Sequence, residues 1–146
     1  MIIATKKMGS LPTAKRAVSD WSEQAYLVLR IGVAFLFVFH APQKYFGLWS
    51  SPAFPLLSLR GLAILIELIG SPLLALGLFT RVVAALAAVE MVGAYWVVHR
   101  QLGALPIANR GELACLYFLV FLYISFRGGG RYSLDWLITR SHESHE

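Results

Sequence analysis

Four apolar runs, separated by short polar segments, organise the chain. Residues 25–40 (AYLVLRIGVAFLFVFH) are interrupted only by Arg30. Residues 59–79 carry Glu67 as their only charge after Gly61. Residues 82–98 carry Glu90 alone, and residues 112–126 centre on CLYFLVFLYISF. A helix of about 20 apolar residues crosses a hydrocarbon layer of about 30 Å. Inside lipid the backbone must satisfy its own hydrogen bonds, which a helix does. For the second run, eleven Leu, Ile and Phe residues after Gly61 contribute roughly −3 to −6 kcal/mol to insertion, against about +2.5 to +3.5 kcal/mol for a central acid. The apolar residues outweigh the carboxylate, so this run inserts too. The pattern predicts an all-α integral membrane four-helix bundle of antiparallel up-down hairpins.

The connecting segments refine this picture. Thr80-Arg81, after Gly77, is all that separates runs two and three, which forces an antiparallel helical hairpin. Pro72 removes a backbone donor and predicts a kink in run two. Between 41 and 58, Tyr45, Phe46, Trp49 and Phe54 form the pattern of an interfacial aromatic belt. Residues 1–20 are polar and basic and are expected to form a disordered cytoplasmic segment. Residues 21–138 make up the membrane domain. Within it, after Gly128-Gly129-Gly130, RYSLDWLITR predicts a short interfacial helix over 133–139, capped by Ser133. Residues 139–146 form a polar tail.

Composition agrees with lipid as the solvent: 58% of residues are apolar and 14% charged, where soluble domains carry about 25% charged residues. The net charge is +5. The basic residues flank the apolar runs instead of lining one polar face, and no nucleic-acid-binding motif is present, so no nucleic-acid partner is expected. One side of the bundle collects eight Lys and Arg residues and the other four. That bias places both termini in the cytoplasm. Cys115 is the sole cysteine, which excludes a relay between paired thiols within this chain.

Charged residues inside the runs are the first candidates for chemistry. At about 1.5 Å per residue, Arg30, Glu67 and Glu90 fall about 12–15 Å from the outer end of their runs. Isolated charges at that depth pair with one another or line a cavity. Arg30 is therefore expected to pair with Glu67, Glu90 or both, in a buried charge layer. Two carboxylates against one guanidinium leave a surplus negative charge, so one carboxylate is expected to hold a proton part of the time. The alternative is a structural ion network that fixes helix register.

A second cluster is expected at the outer helix ends. His40, Gln43 and Lys44 share a helical face at spacings of three and four. His99 closes run three, and Asn109, Glu112 and Tyr117 open run four. In one reading His40, His99 and Glu112 handle protons, while His40, Gln43, Lys44, Asn109 and Tyr117 hold a quinone headgroup. In the other, these groups meet lipid headgroups and water. No metal site is expected.

RIGVAFLFVFHAPQKYFG, ELIGSPLLALGLFTR, NRGELACLY and GGGRYSLD, in this order, resemble the DoxX family of small four-helix membrane proteins. The resemblance covers roughly residues 26–137. It carries the family pattern onto Arg30, His40, Lys44, Glu67, Arg81, His99, Glu112, Arg131 and Asp135. Ala41-Pro42 stands where the family has Gly after the histidine, and Glu90 lies outside the pattern. The resemblance implies a membrane redox process, with similarity to a subunit of thiosulfate:quinone oxidoreductase, and a link to oxidative-stress complexes. Two functions stay open at this point. One is a quinone-binding subunit of an oxidoreductase. The other is a non-catalytic anchor that recruits soluble redox or stress-response enzymes. A small-solute or proton transporter is a third class. The expected partners are the lipid bilayer, soluble or membrane redox subunits and a second copy of the chain. The expected location is a bacterial or archaeal cytoplasmic membrane.

Overall fold

The computed structural model describes residues 13–49 and 52–143, with side chains for 19–49 and 52–141. The first twelve residues of the basic segment and the last three of the tail lie outside the described residues. Six α-helices are present among those described: α1 (Thr13–Val38), α2 (His40–Phe46), α3 (Leu59–Leu76), α4 (Thr80–Ala94), α5 (Glu112–Arg127) and α6 (Leu134–Glu143). A π-helical turn over Tyr95–His99 and a 3₁₀ turn over Arg100–Leu102 extend α4.

The ends of these helices follow from local chemistry. Pro42 lacks an N–H, and its ring crowds the carbonyl four residues earlier, that of Val38. The first long helix breaks at that residue, and α2 begins at His40. Gly47, at φ 67°, ends α2. Ser58 caps α3 by accepting the N–H of Gly61 at 3.0 Å. Pro72 lies within α3, which continues through it to Leu76. At the far end of α3, Leu78 N–H donates to Leu73 O (2.9 Å) and Gly77 N–H to Leu74 O (3.1 Å). This is the Schellman arrangement, with Gly77 in the left-handed conformation at φ 71°, which a Cβ disfavours. Two boundaries differ from expectation. The helix of α1 begins at Thr13, inside the segment expected to be disordered, and α6 continues to Glu143, into the expected tail.

The helices form a closed ring in which α1 packs on α3, α3 on α4, and α4 on α5. Aromatic side chains join α5 back to α1: Phe37 meets Phe121 at 4.7 Å between ring centroids, and Tyr26 meets Tyr123 at 6.0 Å. Ala84, Ala87 and Ala88 of α4 are buried, and small side chains allow helices to approach closely.

The distribution of polarity is inverted relative to a water-soluble bundle. Arg30, Glu67, Thr80 and Asn109 are fully buried, while Val28, Phe35, Leu36, Ile69, Val89, Leu116 and Leu119 face outward. Apolar surface of this extent is stable only against an apolar solvent. Three helical segments are long and apolar enough to cross a membrane: Ser19–Phe46, Leu59–Leu76 and Thr80–Leu102. The chain is an all-helical membrane protein, and its bundle has an α2 end and an α6 end.

Candidate functional site

At the α6 end, polar groups lock the helix termini together. The guanidinium of Arg30 donates to Gly129 O (2.9 Å) and Tyr132 O (2.5 Å). Tyr26 donates its hydroxyl to Gly128 O. The Asp135 carboxylate accepts the N–H groups of Phe79 (2.8 Å) and Thr80 (2.9 Å), capping α4, and its own N–H donates to Gly77 O (2.9 Å). Arg81 donates to Phe126 O at 2.7 Å at the C-terminus of α5. Arg127 pairs with Glu23 (2.7 Å) and Arg131 with Asp20 (2.9 Å). Ser133 caps α6 by accepting Trp136 N–H at 3.1 Å. The residues from Gly128 to Asp135 therefore clasp three helix ends and one buried guanidinium.

This corrects the expected charge layer. Arg30 does not pair with Glu67 or Glu90; its hydrogen-bond partners are peptide carbonyls at the α6 end. The reason is directional. A helical side chain leans toward the N-terminus of its helix, and the N-terminal end of α1 lies at the α6 end of the bundle. Asp135 supplies the nearby opposite charge.

The cation that meets the two glutamates is Lys44, from α2. Its Nζ lies 2.5 Å from Glu67 Oε1 and 3.3 Å from Glu90 Oε1. Glu67 and Glu90 are almost wholly enclosed, at 1% and 6% side-chain exposure, whereas Lys44 keeps 23%. Glu67 Oε2 and Glu90 Oε2 are buried without a hydrogen-bond partner among the described residues. Both carboxyl groups meet at the one ammonium, each through its Oε1. One ammonium against two carboxyl groups leaves the set without a second cation to balance it.

The expected outer cluster divides into separate parts. His40 Nδ1 lies 3.4 Å from Gln43 Oε1, and the His40 ring packs edge-on against Tyr117 at 5.8 Å. Tyr117 is itself within electrostatic reach of Glu67. His40 thus links Gln43 to Tyr117 at the end of the bundle where Lys44 meets the carboxylates. His99 belongs elsewhere. Its Nδ1 donates to Asn109 O at 3.1 Å, and its ring stacks on Tyr95. Asn109, expected to hold a ligand, is committed to structure: it donates to Gly103 O (3.0 Å) and Tyr95 Oη (3.3 Å) and accepts Gly111 N–H (2.8 Å). It braces the loop between α4 and α5. Glu112 is exposed in the first turn of α5 and makes no ion pair with another described residue. No hydrogen bond or ring contact joins His40, His99 and Glu112 to one another among the described residues. Among those residues, no cluster of three or more His, Cys, Asp or Glu side chains is placed to hold a metal ion.

Ser133 caps α6 as its place in the sequence predicts; sequence reasoning missed Tyr26 and Tyr95 as polar anchors, and it missed the partnership of Lys44 with the glutamates. The backward lean of helical side chains is the signal for that partnership. It moves the Arg30 head toward the α6 end and draws the Lys44 head back along α2 toward the bundle.

Comparison with known proteins agrees with the family resemblance. A model of the DoxX family matches residues 25–100. A Haemophilus influenzae protein, described as uncharacterized, is 44% identical over 117 residues, covering 73% of this chain and 85% of that protein. No solved structure matches the chain.

Proposed function

The chain belongs to the DoxX family, and from that premise we propose that it is a four-span membrane subunit of a redox process that binds a quinone at its α2 end. The observation that carries this reading is the Lys44 ammonium bridging two buried carboxylates, each with an unpartnered oxygen. The fourth span is α5. Its 16 residues reach about 24 Å, and Leu113, Leu116, Leu119 and Phe126 point outward along it. The charge bias places the α6 end in the cytoplasm and the α2 end at the outer face of a bacterial inner membrane.

The residues present fit a quinone headgroup. Such a group offers two carbonyl oxygens that accept hydrogen bonds, and Lys44 and His40 can donate to them. A bound quinone supplies two-electron chemistry, with electrons from a redox subunit that partners this chain. The chain's own part is acid–base. Lys44 holds and orients the carbonyl, Glu67 and Glu90 hold the proton that is to be transferred, and Tyr117 closes one wall of the approach. A carboxyl kept neutral by a neighbouring carboxylate is suited to donation at neutral pH. Replacing Glu67 by Gln keeps the size and a hydrogen-bond acceptor but removes the exchangeable proton. Quinone reduction by the assembled complex in native lipid is expected to fall by about 10²-fold or more, the scale of a lost general acid, with α-helical content unchanged. Normal turnover in this variant would remove Glu67 from the mechanism.

A second reading, a non-catalytic anchor, draws on the α6 end. An open cleft of about 970 Å³ there is bordered by Arg81, Arg127, Arg131 and Trp136. A soluble redox or stress-response enzyme with an acidic surface is the partner this cleft suits. Co-purification after Arg131→Glu separates the readings: an unchanged set of partners counts against the anchor.

A further inference from the structure

The Lys44–Glu67–Glu90 set is asymmetric along the bundle. Between it and Arg30 each helix contributes side chains with almost no exposure. Phe37 comes from α1, Leu74 from α3, Ala84 and Ala87 from α4, and Phe121 and Ile124 from α5. Along each helix these residues fall between the level of the glutamates and the α6 end. On α3 the order is Glu67, Leu74, Gly77; on α4 it is Thr80, Ala84, Ala87, Glu90. Together they form a dry plug at least one helical turn thick. An apolar cavity of this kind holds no water, because a buried water needs two to four polar partners. Two polar side chains border the plug: Thr80, one turn from Ala84, with its buried hydroxyl unpartnered among the described residues, and Ser71, one turn below Glu67. Its hydroxyl is turned back to donate to Glu67 O at 2.6 Å. Below the plug, the Arg30 guanidinium stays protonated and offers no acceptor site to a proton.

The α2 end lacks such a layer. Lys44 keeps 23% of its side chain exposed, and His40 and Gln43 are half-buried beside it. The groups facing the carboxylates are Lys44 from α2 and Tyr117 from α5, and the His40 ring packs against Tyr117. The helix that carries Lys44 is only seven residues long. It follows α1 across Phe39, whose backbone stays right-handed helical at φ −68° and ψ −19°, and it ends at Gly47 in the left-handed conformation.

We propose that Glu67 and Glu90 exchange protons with the α2 face of the membrane alone, and that the part-exposed Lys44 side chain, which lies between them and that face, is the gate. A carboxyl proton passes to water at the α2 end when the ammonium withdraws, and a proton from that water replaces it. No redox change is involved in the exchange. The inference deepens the quinone reading, and its functional meaning rests on it: protons released or consumed at the site belong to the outer phase, which makes the reaction sided.

The test is cysteine accessibility in the full chain, with Cys115 replaced by Ala. A membrane-impermeant sulfonated methanethiosulfonate is applied to right-side-out and inside-out vesicles. Thr139→Cys, on the exposed surface of α6, reports which vesicle face is the α6 face. Glu90→Cys leaves Lys44 and Glu67 as a one-to-one ion pair and is expected to fold. It should be modified fully from the α2 face and not at all from the α6 face. Ser71→Cys, which keeps all three charged groups, should resist the reagent from the α6 face. Modification of either variant from the α6 face overturns the proposal, and so does a Glu90→Cys thiol that is closed from both faces. Labelling requires no turnover. Wrong-sided labelling therefore sinks the gate while leaving the quinone reading to the Glu67→Gln assay, and a failed turnover assay leaves the labelling result intact.

Discussion

Replacing Lys44 by Met removes the cation that faces Glu67 and Glu90 while keeping an unbranched side chain of similar reach. Two carboxylates are then left facing each other in a site where they are at most 6% exposed. Removing one partner of a buried ion pair costs about 3–5 kcal/mol. Lys44 retains contact with water through the 23% of its side chain that is exposed, which lowers the expected loss to about 2–4 kcal/mol. The same substitution made in a Glu67→Gln background leaves one acid and no facing charge. There the loss should shrink to about 1–2 kcal/mol, and the difference measures the coupling between the two residues. The assay is unfolding in mixed micelles of increasing denaturing detergent, read by thiol modification of Cys115, the chain's one cysteine. An unshifted midpoint for Lys44→Met would refute the placement of the ammonium between the glutamates. Equal losses in the two backgrounds would show that Lys44 contributes through packing and not through charge.

Two further outcomes follow from the same packing. At Gly77 an added Cβ would run into the Arg30 guanidinium and the Ser133 side chain, at a φ of +71°; Gly77→Ala should destabilise by about 3 kcal/mol or more, from the left-handed conformation together with the weakened hydrogen bonds of a buried charge. A Gly77→Ala protein that unfolds like the native one would argue against the Arg30 lock. Asn109→Ala removes the donor to Gly103 O and one of the two acceptors of Gly111 N–H, which keeps Pro106 O, and should cost about 1–3 kcal/mol, with faster amide hydrogen exchange across residues 103–111; unchanged exchange there would show that the loop is held by other contacts.

The candidate site was legible only in part. Glu67 and Glu90 stand out in the sequence because an acid in an apolar run must be compensated, and Lys44, His40 and Gln43 stand out because their spacing puts them on one helical face. The partner that compensates the acids was misread. Counting residues along a run locates a Cα but not the head of a long side chain, and Arg30 and Lys44 each reach well away from their own Cα. Pro42 was noted as a departure from the family pattern, yet its consequence is geometric: the break at Phe39 creates the separate short helix that carries Lys44 to the carboxylates. The sequence suggests a ligand-holding role for Asn109 and a proton-handling role for His99 because polar residues at a helix end suggest a site. Only the path of the 103–111 loop shows that their polar atoms face one another and Tyr95.

What the sequence determined by itself is the solvent and the helices. Residues as apolar as those of 25–40, 59–79 and 82–98 have no stable place in water, and the backbone inside lipid has few alternatives to a helix. The turn at Gly77 and the caps at Ser58 and Ser133 follow from chemistry that is local in the chain. What only the tertiary structure decided is which charge meets which. Arg30 lies about a hundred residues from the carbonyls it binds at Gly129 and Tyr132, and Lys44 reaches two acids on different helices. Such pairings depend on the rotation of each helix about its axis and on the lean of long side chains, and these are set by packing across the whole bundle.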